Sequence, residues 1–401
     1  MDLHSRKQYL MKLREKYLRA NRQEKSRLLD EYTENTGHNR KYVIAVLNSA
    51  KFWGNLNKPR KPRKKRYGTE IEAPLIKLWG IFDFPCGQRL KPCLTEELER
   101  LRSFGEINIT DEVAEKLLTI SPATIDRKLA RPRKAERQRR FSTTKPGSLL
   151  KKKIPIRLTD WDTSKIGFLE TDLVAHCGGN ASGLFANTVS LTEIATGWWE
   201  GEVIMGKGQK ATLEVLKLMR ERCPFAWLGL DSDNGSEFIN YFLLAYCENQ
   251  ELAFTRSREN KKNDNAYVEQ KNWTHVRKIL GYFRYDTEKE KAIINDLYRN
   301  ELRLYKNFFQ PIMKLSQKVR YGSKKHRKYE LAKTPYKRLM ESNQTPKKTK
   351  AQLKALYETL NPAALKRRID HKLCLLLQAY QSKRKPKINI LKRREVSSVR
   401  Y

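Results

Sequence analysis

From Gly167 to Gly281 the chain alternates short apolar runs, glycine breaks and helix-period segments in one order, and that order constrains the fold more than any other feature. Phe168-Leu169-Glu170-Thr171-Asp172-Leu173-Val174, Phe185 to Ile194 and Trp198 to Met205 read as three strands. Gly178-Gly179, Ala195-Thr196-Gly197 and Gly206 to Gly208 are the breaks. Connections this short predict an antiparallel meander. Ala211, Val215, Leu218 and Met219 then recur at helical spacing within 211–222, and Ala226 to Leu230 is a short buried strand ending at Asp231-Ser232-Asp233-Asn234-Gly235. A helix over Glu237 to Asn249, a strand over Leu252 to Ser257 and a helix from about Asp264 to Leu280 complete the order βββαβαβα. Hairpin strands continued by helix-connected parallel ones predict a mixed five-stranded sheet flanked by helices.

The charge divides along the same boundaries. The 401 residues hold 83 Lys and Arg against 45 Asp and Glu, a net +38. Residues 167–281 hold 12 against 15, a net −3, which leaves +41 to the rest. Such self-repulsion calls for a polyanion, and nucleic acid is the expected partner. No run of 18 apolar residues occurs and Met1 to Tyr17 is charged, so neither a membrane span nor a secretory signal is expected. At 39% hydrophobic content, with 7 Trp and 14 Phe, the chain is no disordered polycation. Six scattered cysteines (Cys86, Cys93, Cys177, Cys223, Cys247, Cys374) suggest free thiols in a reducing, cytoplasmic setting.

Composition shifts divide the chain into six parts. Residues 1–55 read as helix, Gly37 turn, helix, the outline of a helix-turn-helix, with Leu28, Leu29, Tyr32, Val43, Val46 and Leu47 at helical period. A basic linker covers 56–68. A second helical, helix-turn-helix DNA-binding domain covers 69–130, in which Ser121 is an N-cap and Pro122 a first helical residue. That helix would present Thr124 and Arg127 to DNA. A second basic linker, 131–155, leads into the α/β core at 156–290. A basic C-terminal accessory region and tail, 291–401, includes the cationic runs Lys318 to Lys328 and Lys383 to Arg394, expected to contact phosphate.

Within the core, Asp172 interrupts an apolar strand, Asp233 follows the fourth strand, and Glu269 lies on a helix stripe with Trp273, Val276 and Leu280. Taken singly, each has a bland reading: an edge residue, a turn former and a carboxylate favoured by a helix N-terminus. Together they are three carboxylates on three elements, an oxygen-only set suited to hard divalent cations, and 35 residues separate Asp233 from Glu269.

These features resemble the D,D-35-E signature of retroviral-type integrases and bacterial insertion-sequence transposases. The resemblance rests on Gly167 to Asp172, on Asp231-Ser232-Asp233-Asn234-Gly235-Ser236-Glu237-Phe238, and on Asn265-Ala266-Tyr267-Val268-Glu269-Gln270-Lys271-Asn272. It covers about 115 residues, and the basic helical segments ahead of the core look more like a transposase. It implies a ribonuclease H-like core and a catalytic, metal-binding triad of Asp172, Asp233 and Glu269 with two Mg²⁺, or Mn²⁺. Asp231 competes with Asp233 but breaks the 35-residue interval. The implied activity is hydrolysis at the ends of a mobile element followed by 3′-hydroxyl strand transfer into target DNA. Its implied partners are double-stranded DNA, as terminal inverted repeats and target, and further copies of the chain in a homodimer or higher oligomer, on the prokaryotic nucleoid.

The sequence also departs from the retroviral pattern. His4, His38, Cys86 and Cys93 lack zinc-site spacing, so no zinc is expected. Positions four and seven after Glu269 are Trp273 and Val276 where retroviral relatives carry lysines; Lys271, His275 and Lys278 on another helical face are the alternative DNA contacts, with a plain solvated face equally open. The rival readings are a non-catalytic DNA-binding regulator with a degenerate core and a structure-specific nuclease.

Overall fold

The computed structural model describes residues 1–55, 66–139, 164–233, 235, 237–256, 266–322 and 324–383, and the chain forms two compact units, Met1–Arg66 and Tyr67–Tyr401. Most of the expected linker at 56–68, most of the second linker, Asn234, Ser236, Asn265 and the tail from 384 lie outside the described residues.

The first unit is helical: α1 (Leu3–Arg19), α2 (Arg22–Thr36), α3 (Arg40–Asn48) and α4 (Ala50–Asn55). Leu10, Leu13, Tyr17, Leu29, Tyr32, Val43, Val46 and Leu47 form its core. Gly37 ends α2 in the left-handed region, φ 69°, where a side chain would be strained. Asn39 then caps α3 through Lys41 N–H. The expected helix, glycine turn, helix is present.

The second unit begins with α5 (Glu72–Ile81), α6 (Gly87–Ser103), α7 (Asp111–Thr119), α8 (Pro122–Lys128) and α9 (Ala130–Arg139). Helix α9 runs through part of the stretch expected as a basic tether. The sheet follows: β1 (Phe168–Ala175), β2 (Ala186–Glu193), β3 (Trp199–Met205), α10 (Gln209–Arg222), β4 (Gly229–Ser232), α11 (Tyr241–Asn249) and β5 (Ala253–Arg256). Its order is β3-β2-β1-β4-β5, with β1, β2 and β3 antiparallel and β1, β4 and β5 parallel. This is the mixed sheet that the βββαβαβα order predicts. Helix α11 starts four residues later than expected, because Glu237 to Asn240 form turns and Asn240 caps the helix through Leu243 N–H.

After β5 come α12 (Ala266–Lys271), a π-helical turn (Asn272–Arg277) and α13 (Lys278–Leu280). Then α14 (Glu288–Leu297), a second π turn (Tyr298–Leu302) and α15 (Arg303–Phe309) lead to a hairpin of β6 (Leu315–Tyr321) and β7 (Lys324–Tyr329). Helices α16 (Pro335–Glu341), α17 (Lys347–Thr359) and α18 (Pro362–Ser382) close the described chain.

Alternation along β1 feeds two cores. Leu169 packs with Leu191, Leu216, Met219, Leu230 and Leu243 beneath α10 and α11. Val174 joins the opposite core, a continuous cluster running from Leu75 and Leu94 through Trp199 and Tyr298 to Ile369 and Leu376. The segments expected as separate parts, 69–130, 156–290 and 291–401, therefore share one apolar core. The hydrophobic period of α5 to α8 and α14 to α18 indicates that each has a buried face, but not which element covers it.

One device closes the sheet. β3 is an edge strand, and its outward backbone groups are taken by two asparagines on the covering helices. Asn295 accepts from Val203 N–H at 2.6 Å and donates to Val203 O at 3.1 Å; Asn307 does the same at Trp199, at 2.9 and 2.8 Å. The two side chains thus stand in for a sixth strand. Replacing the buried Asn307 by Leu leaves two buried backbone groups unpaired, so we expect a loss of about 2–4 kcal/mol, read as a lowered midpoint in chemical denaturation.

Candidate active site at the strand ends

The parallel pairing of β1 with β4 runs in register up to Thr171 opposite Ser232. Asp172 and Asp233 are each the next residue, so the register brings them side by side at the C-terminal end of the parallel strands, where ligands bind in such sheets. Asp172 Oδ1 accepts from Leu173 N–H at 2.7 Å and Oδ2 from Asn272 Nδ2 at 2.6 Å. Burial and the neighbouring Asp233 push its carboxyl up to about 7, with Glu269 and Glu237 adding to the rise. Asp233 is raised as well, by burial and by Glu237, against the opposing effects of a hydrogen bond from Gly235 N–H at 3.1 Å and the charge of Lys207.

Two carboxylates absent from the expected triad help build this site. Glu170, two residues before Asp172 and on the same strand face, is buried, and its Oε2 accepts from Tyr267 and Val268 N–H at 3.0 Å each. It thereby binds the N-terminal turn of α12, where the helix dipole favours an anion. Glu237 is buried beside Asp233 and pairs with Lys207 Nζ at 3.4 Å. A Cβ at Gly235 would fall within 3 Å of both Glu237 oxygens, so a side chain there would displace that carboxylate. Both residues stand in the sequence boxes quoted above. The signal that marks them is a second acid two positions from Asp172 and another just beyond Asp-Asn-Gly.

The buried face of the last helix is not the expected one. The expected stripe is Glu269, Trp273, Val276 and Leu280, but Val268, Lys271, Asn272, His275, Val276 and Leu280 are the buried positions, also at helical spacing but centred on a different line, and Trp273 is 53% exposed. Asn272, the first residue of the π turn, reaches Asp172 from this face. Asn272 Oδ1 has no hydrogen-bond partner among the described residues. Glu269 is exposed in the first turn of α12.

The same shift corrects two expected DNA contacts. Lys271 and His275 are buried, not on a solvated face. Burial, with the charges of Arg89, Lys306, Lys314 and Arg338, pushes the Lys271 ammonium down to about 7, and His275 lies edge-on to Trp199 at 5.2 Å. Lys278 is exposed but pairs with Asp83 at 2.7 Å. Thr124 and Arg127 lie on α8, with Ser121 capping as expected, and Arg127 donates to Thr124 Oγ1 at 3.0 Å. Asp231, the competitor of Asp233, is buried within the sheet, where its Oδ1 accepts from Thr255 Oγ1 at 2.5 Å.

The donor chemistry fits a hard divalent cation: oxygen ligands only, with a mutual repulsion at Asp172 and Asp233 that a cation would relieve. Among the described residues, however, no three His, Cys, Asp or Glu side chains stand close enough to hold a metal ion. The register joins Asp172 and Asp233; Glu269 is within electrostatic reach of Asp172 without closing a three-ligand set.

Fold and site together define a mixed α/β protein with a crowded carboxylate group at the ends of its parallel strands. No family model matches the chain. It is 37% identical over 318 residues to the uncharacterized protein y4rM of Sinorhizobium fredii, a match spanning 79% of this chain and 89% of that protein, and it belongs to the same family. Among solved structures it is similar to the HTLV-2 integrase catalytic core domain in complex with magnesium, in a dimeric form. The TM-score is 0.27 at 11% identity over 36% of this chain and 89% of that one. It is also similar to the catalytic core domain of BIV integrase, with a TM-score of 0.26 at 16% identity over 42% of this chain and 91% of that one.

The raised Asp172 pKa has a thermodynamic consequence. Between about pH 4 and 7 the folded carboxyl keeps a proton that the unfolded chain has released, so stability falls as pH rises through that window. Asp172→Asn abolishes this loss. Thermal melts in EDTA should show the variant gaining on the wild type from pH 5 to pH 8; a constant difference would mean an ordinary carboxyl.

Proposed function

We propose that the chain is a DNA transposase or integrase of the polynucleotidyl transferase type, which binds the ends of a mobile element, hydrolyses a phosphodiester there and joins the freed 3′-hydroxyl to target DNA. The observation that carries this reading is the register-imposed pair of Asp172 and Asp233 at the strand ends, with the helix bearing Glu269 bound to the same strand through Glu170 and Asn272. Asp172, Asp233 and Glu269 would hold Mg²⁺ or Mn²⁺. When bound, two such ions activate an attacking oxygen and stabilise the leaving one in phosphoryl transfer.

The chain's own groups have separate tasks. Asn272 fixes the rotamer of Asp172 by donating to one oxygen, and Leu173 N–H holds the other. Glu170 keeps α12 against β1, which sets how far Glu269 stands from Asp172. Lys207 tempers the negative field at Asp233 and Glu237. The excess of +41 outside 167–281 supplies sequence-independent grip on phosphates, as multiple copies on one DNA would require. Assembly of a dimer or higher oligomer on paired ends, and a nucleoid location, belong to the same reading.

A second reading, a DNA-binding regulator without catalysis, is favoured by the lack of a closed three-carboxylate set among the described residues. One experiment separates the readings. With pre-cut and uncut duplexes in Mg²⁺ or Mn²⁺, Asp233→Asn should lower cleavage and joining by about a hundredfold or more and leave duplex affinity within about twofold. A wild type that neither cuts nor joins supports the regulator, and cutting without joining marks a nuclease. Undiminished joining by Asp233→Asn overturns the site.

A further inference from the structure

The β6–β7 hairpin is a two-stranded sheet of its own, and no third strand pairs with it among the described residues. Residues 315–329 contain six Lys and Arg, His326, and no Asp or Glu. Its base is fastened to the body: Ile312 and Lys333 exchange both backbone hydrogen bonds, Glu330 N–H donates to Lys314 O, and Arg338 pairs with Glu330 at 2.9 Å. Beyond that base the described side chains are mostly exposed, Tyr321 by 67%.

The register makes the charge pattern unusual. Lys318 stands opposite Arg327, and Arg320 opposite Lys325. Directly opposed positions share a face, so four cationic positions fall together on one side of the ribbon. Like charges placed directly across a strand pair are destabilising, and an isolated hairpin is marginal in water to begin with. Lysines on open edges do discourage strand addition, but that purpose gains nothing from placing cations directly opposite one another. The other face carries Gln317, Val319, Tyr321, Lys324, His326 and Lys328, so two of the six cations lie there unopposed by another cation, with the Tyr321 and His326 rings 5.6 Å apart and edge-on. Seven residues of strand extend about 20 Å, and a duplex major groove is wide enough to admit a two-stranded ribbon.

We propose that this hairpin is a DNA-binding arm. It lies along a groove of duplex DNA, and the Lys318, Arg320, Lys325 and Arg327 face neutralises phosphates. The phosphates relieve the repulsion between the opposed pairs. This inference rests on the DNA-processing reading above and adds to it the element that holds the duplex.

The test uses the full chain and a labelled 30-base-pair duplex of arbitrary sequence, with binding followed by fluorescence anisotropy from about 50 to 300 mM salt. A ribbon variant carries Lys318→Gln, Arg320→Gln, Lys325→Gln and Arg327→Gln. A charge-matched control carries Lys347→Gln, Lys348→Gln, Lys350→Gln and Lys354→Gln on α17. Each phosphate contact contributes about 0.9 to the slope of log K against log salt, so the ribbon variant should lose about 3 to 4 of slope and roughly a hundredfold or more in affinity. The control should change by less than about threefold. The thermal midpoint of the ribbon variant should not fall, because the opposed cations are gone. If it does fall, Lys325→Gln alone decides, with an expected slope loss near 0.9.

Unchanged slope, or a loss no greater than the control's, overturns the arm and leaves the transposase reading standing. Tighter wild-type binding to an RNA duplex of the same length overturns the choice of DNA. Absence of any salt-dependent duplex binding by the wild type removes both proposals.

Discussion

Two carboxylates on one face of a single strand, each bonded to the same crossing helix, hold the candidate site together. Glu170 and Asp172 alternate on β1, Glu170 accepting the first N–H groups of α12 and Asp172 the amide of Asn272 one turn and a half later. Burying a carboxylate is costly unless hydrogen bonds or cations compensate. Glu170 is compensated by the N–H groups and dipole of a helix N-terminus, so it serves as an anchor. Asp172 is compensated only in part and crowded by Asp233, so its charged form is disfavoured. The same strand face therefore carries one acid that anchors a helix and one whose charge its neighbours oppose.

The rest of the second unit keeps that strand in place. β1 is central in the sheet, with β2 and β3 on one side and β4 and β5 on the other. The open edge at β3 is closed by side-chain amides of Asn295 and Asn307 from the helices that cover the sheet, with Trp199 and Tyr298 at 5.4 Å packed between the layers. Helices α5 to α8 and α14 to α18 contribute to the same apolar core. The face of the sheet that bears Glu170 and Asp172 is thereby roofed, while its strand ends are left to the carboxylates. The β6–β7 ribbon differs: its described side chains are mostly exposed, its register opposes cations, and the Ile312–Lys333 bridge fastens its base.

Sequence reading succeeded where the signal was local. Strand β1 with its misplaced Asp172, the helix at Arg22–Thr36 ending on Gly37, the Ser121-Pro122 start of α8 and the strand-to-turn step before Asp233 are each written in a few neighbouring residues. It failed where a residue's surroundings come from afar. The stripe assigned to Glu269 and Trp273 followed the apolar residues, but the buried side is the one that carries Val268, Lys271, Asn272, His275 and Val276, and the burial of its polar residues depends on what the helix packs against. Lys271 and His275 look like solvent-facing cations in a basic chain until Trp199 and the charged side chains Arg89, Lys306 and Lys314 are placed around them. Glu237 read as a helix start because nothing local says that its carboxylate turns back toward Asp233.

By itself, then, the sequence determined the order of strands and helices, the separation of a slightly acidic core from strongly basic surroundings, and the candidates Asp172, Asp233 and Glu269. Period, turn residues and charge counts are properties of neighbouring residues, and they survive without knowledge of the fold. Tertiary structure decided the pairing of Asp172 with Asp233 through the β1–β4 register and the anchoring of α12 by Glu170. It also decided the burial of Lys271 and His275 and the merging of the flanking helices into one core. Each of these depends on which distant segment supplies a hydrogen bond or covers an apolar face, and no pattern along the chain encodes that choice.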